Sequence, residues 1–96
     1  MSYKLKFLPT ALKEWNKLGS TVKDQFKKKL KARLENPIVV SDKLRGVENC
    51  YKIKLRASGY RLVYEVEKKS ITVYVIAVGK RDKNIVYKTV RSRNSK

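Results

Sequence analysis

Cys50-Tyr-Lys-Ile-Lys-Leu-Arg-Ala-Ser-Gly-Tyr-Arg-Leu-Val-Tyr64 decides the fold of this chain. Apolar and cationic residues alternate on both sides of Ser58-Gly59, which is the pattern of two half-buried antiparallel strands joined by a turn. A two-residue turn at Ser58-Gly59 predicts Leu55 opposite Leu62, Ile53 opposite Tyr64 and Tyr51 opposite Val66, giving one continuous apolar face. The other face then carries Lys52, Lys54, Arg56 and Arg61, with Arg56 facing Arg61 and Lys52 facing Glu65. Like charges set opposite each other destabilise a sheet by roughly 0.2–1 kcal/mol per pair, so this face calls for an anion or for ample solvent. Strand lysines also protect an open sheet from edge pairing. On the hairpin alone the two readings stand level.

Outward from the hairpin, Ile71-Thr-Val-Tyr-Val-Ile-Ala-Val78 is apolar on both faces and predicts a central strand. It runs into Gly79-Lys80-Arg81, which sets two cations at its carboxy end, and Asp82 is placed to cap a short last helix with Ile85, Val86, Tyr87 and Val90. Toward the amino terminus, Tyr3, Leu5 and Phe7 alternate with lysines as a half-buried first strand. Pro9 opens a helix along Ala11, Leu12, Trp15 and Leu18, with Gly19 expected to end it in a left-handed cap. Ser20 or Thr21 is expected to cap a second helix, whose stripe Val22, Phe26, Leu30 and Leu34 stops at Asn36-Pro37. Residues 38–49 read as a loop, with Arg45 just ahead of the basic strand.

The charge balance tips the hairpin toward an anion. Lys and Arg number 25 against 8 Asp and Glu in 96 residues, a formal charge of +17 that solubility alone does not require. Nucleic acid is the leading partner, and the second helix widens the footprint with Lys23, Lys27, Lys28, Lys29, Lys31 and Arg33. The length suits one small domain, residues 1–96. No apolar run approaches a membrane span and no secretion signal opens the chain. The single Cys50 excludes an internal disulfide and fits a reducing cytosol.

The chain has no histidine, which removes serine–histidine triads and two-histidine ribonuclease sites. One cysteine and no histidine leave little for zinc, and the carboxylates Glu14, Asp24, Glu35, Asp42, Glu48, Glu65, Glu67 and Asp82 show no paired spacing of a metal-assisted nuclease. No metal or cofactor is expected. Attack of a ribose 2′-hydroxyl on its own phosphate needs alignment, a proton acceptor and charge stabilisation on the phosphoryl oxygens. Clustered Lys and Arg supply the last. A tyrosine titrates near ~10, and cations around it favour the phenolate, so Tyr87 is a candidate base, although composition alone favours an ordinary amphipathic tyrosine packing beside Val86 or Val90.

The segments Ala11-Leu-Lys-Glu-Trp-Asn-Lys-Leu-Gly-Ser-Thr-Val22, Lys43-Leu-Arg-Gly46, Cys50 to Arg56, Ser58 to Tyr64 and Val78-Gly-Lys-Arg81, in that order, closely resemble the RelE toxins of the RelE/ParE superfamily of bacterial toxin–antitoxin systems. The likeness runs from about residue 3 to residue 90. It implies an α+β, microbial-ribonuclease-like fold: two N-terminal helices packed on a mostly antiparallel four-stranded sheet, then a short C-terminal helix. It implies a ribosome-dependent messenger-RNA endonuclease cutting in the decoding A site, restrained by an acidic RelB-like antitoxin and joined to operator DNA through that antitoxin. The resemblance places the catalytic set on Lys52, Lys54, Arg61, Arg81 and Tyr87: Tyr87 as base, Arg81 at the leaving group, and Lys52, Lys54 and Arg61 on the phosphate. Lys27, Lys28, Lys29, Arg45, Arg56, Lys80 and Lys83 are expected to meet RNA and the 70S ribosome. Lys83 stands where close relatives often carry a second arginine, and the tail after Val90 is more polar than theirs. A non-catalytic RNA- or ribosome-binding protein and a DNA-binding corepressor subunit remain alternatives at this point.

Overall fold

β1 (Lys4–Phe7) leads into two helices, α1 (Pro9–Asn16) and α2 (Ser20–Glu35), and after a single 3-10 turn at Val40–Asp42 come β2 (Cys50–Leu55), β3 (Tyr60–Glu67) and β4 (Thr72–Lys80). The structure, a computed structural model, describes residues 2–44 and 46–80. The expected last helix, with Asp82, Ile85, Val86, Tyr87 and Val90, lies outside the described residues. So do Arg45, Arg81 and Lys83.

The strands form one sheet in the order β1-β4-β3-β2, with β1 parallel to β4 and the other two pairings antiparallel. The expected α+β architecture is present, and the doubly apolar strand β4 lies inside the sheet. Both helices cover one face. Phe26 and Leu30 of α2 and Ala11 and Trp15 of α1 pack with Tyr51, Ile53, Leu55, Leu62, Tyr64 and Val73 in the main core. Val22 and Leu34 flank it, so the four-residue repeat of α2 faces the sheet as expected. Phe7, Trp15 and Phe26 continue the core as a run of tilted rings at centroid spacings of 5.3 and 6.2 Å.

A β-bulge explains why β4 is apolar on both sides. Val63 pairs with Ala77 and Tyr64 with Val75, so Ile76 is an extra residue and the side-chain alternation of β4 changes phase there. Val73 and Val75 before the bulge, and Val78 after it, point into the main core. Ile76 and Ala77 turn to the far face, where they join Val47, Cys50 and Val63 in a smaller buried cluster.

Four local expectations are corrected. The hairpin register is displaced by two residues: Leu55 pairs with Tyr60, Ile53 with Leu62 and Tyr51 with Tyr64. The loop is Arg56-Ala57-Ser58-Gly59, closed by Gly59 N–H donating to the Leu55 carbonyl at 2.9 Å, with Gly59 at φ +76°. Because the side-chain period of a strand is two, an even displacement changes every pair and leaves every residue on its expected face. Gly19 is not a left-handed cap: it is extended, at φ −67°, and directly precedes α2. The first helix already ends at Asn16, and Ser20 is the first helical residue, too late in the chain to cap α2 with its side chain. Leu12 is 43% exposed, because an eight-residue helix presents only Ala11 and Trp15, one turn apart, to the core.

Candidate active site

The face of the sheet away from the helices carries the cationic residues. Across its end nearest the β2–β3 turn, Lys54 pairs with Arg61 and Arg61 with Gly79; one row further in, Lys52 pairs with Val63 and Val63 with Ala77. Val63 and Ala77 between these cations are buried, packed with Val47, Cys50 and Ile76, so the row stands at the edge of a small apolar cluster. Lys54 is exposed and its neighbours are cations: the positive charge of Lys52, then loss of hydration and the charge of Arg61, hold its ammonium below the usual lysine range, while Asp42 acts weakly the other way. An anion placed here is attracted by three groups that repel one another in its absence.

The corrected register redistributes the other expected members. Arg56 is in the turn rather than opposite Arg61, and Glu65 lies across from Cys50 and Tyr74 rather than from Lys52. Lys80 pairs with Tyr60 on the helix-side face, its Nζ 5.4 Å from the ring centroid, and does not join the row. Lys28 and Lys29 of α2 do approach it: with Lys54 and Arg56 they border a groove of about 430 Å³ between α2 and the β2–β3 turn. Lys27 is exposed on α2. Among the described residues, no group of three or more His, Cys, Asp or Glu is arranged to hold a metal ion.

Behind the row sits an arrangement that pattern reading misses. Spacing groups Arg33 with the solvated cations of α2, yet its guanidinium reaches under the edge of β2. Nη1 donates to the Tyr64 hydroxyl at 2.9 Å and to the Lys52 carbonyl at 3.2 Å, and Nη2 donates to Asp42 Oδ2 at 2.5 Å. Tyr64 in turn donates to the Pro37 carbonyl at 2.7 Å and stacks on Tyr51 at 5.7 Å. Burial alone would lower the Arg33 pKa, but the bonds and charges of Tyr64 and Asp42 outweigh it and raise it. Burial raises that of the Tyr64 phenol, against the opposing pull of Arg33. The only signal in the sequence is a tyrosine in the middle of an apolar face, whose hydroxyl must find a partner. The seam fixes the backbone of Lys52 from behind while its side chain serves the row in front.

On the opposite side of the sheet, β1 ends at Phe7, and the Glu14 carboxylate of α1 accepts the Val78 N–H at 3.1 Å. This ties α1 to the stretch of β4 that leads toward Gly79 and Lys80.

Two helices on one face of a four-stranded sheet and a cationic row on the other define a small, strongly basic α+β domain suited to a polyanionic partner. Comparison with known proteins narrows it. Residues 5–85 match the family model described as the ParE toxin of the type II toxin–antitoxin system parDE, and the chain belongs to that family. The mRNA interferase toxin RelE of Escherichia coli K12 is 59% identical over 87 residues, covering 91% of this chain and 92% of that protein. A doubly substituted E. coli RelE toxin in the free state superposes with a TM-score of 0.91 at 55% identity, covering 97% of this chain and 98% of that one. The toxin in the intact E. coli RelBE toxin–antitoxin complex gives 0.83 at 57% identity, over 85% of this chain and all of that one.

Proposed function

We propose that this protein is the toxin of a RelBE-like pair and an endoribonuclease that cuts messenger RNA on the ribosome. The observation that carries the proposal is the row of Lys52, Lys54 and Arg61 on an open sheet face, in a chain 59% identical to a protein named an mRNA interferase. The scissile phosphate lies on that row. The Tyr87 phenolate takes the proton of the ribose 2′-hydroxyl, and the 2′-oxygen bonds to phosphorus. The bond from phosphorus to the 5′-oxygen breaks, and that oxygen leaves as a hydroxyl by taking up a proton from water, with Arg81 stabilising its developing charge. The products are a 2′,3′-cyclic phosphate and a 5′-hydroxyl end. The cationic row stabilises the charge on the phosphoryl oxygens, which is the largest contribution a histidine-free site can make. A flexible message aligns poorly by itself, so a ribosome that holds it in the A site supplies the orientation.

The antitoxin is an acidic RelB-like chain, and the complex of the two meets operator DNA through the antitoxin. Its natural target is the cationic face or the segment bearing Tyr87, because charge complementarity with a +17 domain favours an acidic, initially disordered chain. The protein acts where translation occurs, in the cytoplasm. No described helix is long and apolar enough to cross a membrane.

Primer extension on a translated message, with and without ribosomes, tests the activity. Cuts are expected only with ribosomes, and should persist under chelator when separate controls keep the ribosomes intact. A 2′-deoxy or 2′-methoxy substitution at the cut should block them. Cleavage of a 2′-deoxy message would rule out the proposed attack.

A further inference from the structure

Lys54 belongs to two places at once. It stands in the row with Lys52 and Arg61, and it also walls the groove between α2 and the β2–β3 turn, where Lys28, Lys29 and Arg56 supply the other cations. We propose that this groove carries the stretch of message beside the scissile phosphate: the strand leaves the sheet face past Lys54 and lays its phosphates against Lys28, Lys29 and Arg56. The inference rests on the endoribonuclease reading and adds to it a path for the substrate.

Three observations support the path. β2 is the edge strand of the sheet, so on this side the cationic face opens past Lys54 directly into the groove. The groove pairs its cations with an apolar floor formed by Leu55 and Ala57, the combination that takes a nucleotide's phosphate and the flat of its base together. At about 430 Å³ the groove is in the size range of small-ligand sites, room for about one nucleotide. Gln25 adds selectivity. Among the residues lining the groove it alone has a side chain that both donates and accepts hydrogen bonds, so it can read the edge of the base seated there.

The test uses the full chain and ribosomes loaded with messages that end just past the cut on one side or the other, or continue for several nucleotides. The wild-type protein should gain kcat/KM when the message is lengthened on one side. The combined variant Lys28→Gln, Lys29→Gln and Arg56→Gln should lose roughly tenfold on the long message and much less on the short one, as expected when a few cations no longer neutralise phosphates. A charge-matched control, Lys6→Gln, Lys68→Gln and Lys69→Gln, should keep the wild-type gain with message length, since none of the three lines the groove and Lys68 and Lys69 lie in the turn at the other end of β3. Gln25→Ala should flatten base preference at one position beside the cut, with Tm confirming that each variant is folded. An equal loss on long and short messages would mean that the cations hold ribosomal RNA, and would overturn the path. So would no loss at all. If the wild-type protein cuts no ribosome-bound message of any length, the activity itself fails and the path falls with it.

Discussion

Arg33 reaches strand β2 from α2, Lys54 projects from β2 on the sheet face away from the helices, and the protein uses the two cations in opposite ways. Arg33 is drawn into the seam between α2 and the sheet and surrounded by acceptors: Asp42, the Tyr64 hydroxyl and the Lys52 carbonyl. Lys54 stands in solvent among Lys52 and Arg61. The seam satisfies its charge within the fold, whereas the open face concentrates charge of one sign. Charge count therefore says little about function until each cation is sorted by what surrounds it. Stability should follow the first region and catalysis the second, and the experiments below can separate or merge them.

The largest effect is expected on the open face. Lys54→Ala should lower the single-turnover rate on saturating ribosome-bound message by ~10²-fold or more, the scale of losing one preorganised charge at a reacting centre, with Tm little changed. A rate within a few-fold of wild type would remove Lys54 from the chemistry and leave the row as a binding surface. Arg33→Met is the reciprocal experiment. It strands the Asp42 carboxylate and deprives the Tyr64 hydroxyl and the Lys52 carbonyl of a donor, at a cost of about 2–3 kcal/mol. In a domain of this size that lowers Tm by roughly 10 °C or more. Cleavage at a temperature where the variant remains folded should fall far less than in Lys54→Ala. If Arg33→Met loses activity as completely while keeping its Tm, the seam is part of the active site and the two regions are one.

A smaller effect separates steering from chemistry on the helix. Lys27→Gln with Lys31→Gln should weaken ribosome association a few-fold and flatten its log–log salt dependence by roughly 0.7 for each phosphate no longer neutralised. The rate at saturation should change much less. Equal reductions in association and saturated rate would place α2 against the reacting phosphate.

The same contrast explains what the sequence disclosed. Side-chain alternation assigned Lys52, Lys54 and Arg61 to the outer face correctly even though the turn differs from the expected one, because a displacement of two residues preserves the face of every strand residue. The stripe Val22, Phe26, Leu30 and Leu34 was legible for the same reason: periodicity reports burial. Pairing partners were not legible. Whether Lys54 faces Arg61 or Val63 depends on a loop of four residues rather than two, and on a left-handed Gly59 that serves either turn. The bulge at Ile76 was hidden in an apolar run where a change of phase leaves no polar residue out of place. Arg33 was invisible as a structural residue because its partners are 9, 19 and 31 positions away, and one of them is a backbone carbonyl. Arg81 and Tyr87 lie outside the described residues, so their assignment rests on the chemistry of a phenolate beside cations and on the family resemblance.

The smallest expected effect, and the sharpest in sign, is on stability at alkaline pH. Burial raises the Tyr64 pKa above its ordinary value near 10. The folded chain thus holds a proton that the unfolded chain releases, so this group's contribution is complete below pH ~10 and is lost as pH rises through the folded pKa. Lys54 has the opposite sign. Its pKa is held below 10.5 by Lys52, loss of hydration and Arg61, so the folded chain releases a proton that the unfolded chain keeps. Repulsion within the row weighs on the fold below the lowered pKa and is relieved as pH rises toward the unfolded value. Difference curves of denaturant stability between about pH 8 and 11 can show both. Tyr64→Phe should remove a loss of stability above about pH 10, and Lys54→Gln should remove a gain that begins at lower pH. If the two difference curves slope the same way, the seam and the row share one electrostatic environment and the contrast between them does not hold. A salt titration then sharpens the result: added salt should shrink the Lys54→Gln curve, because those charges meet through solvent, while the Tyr64→Phe curve, set by burial, should keep its size.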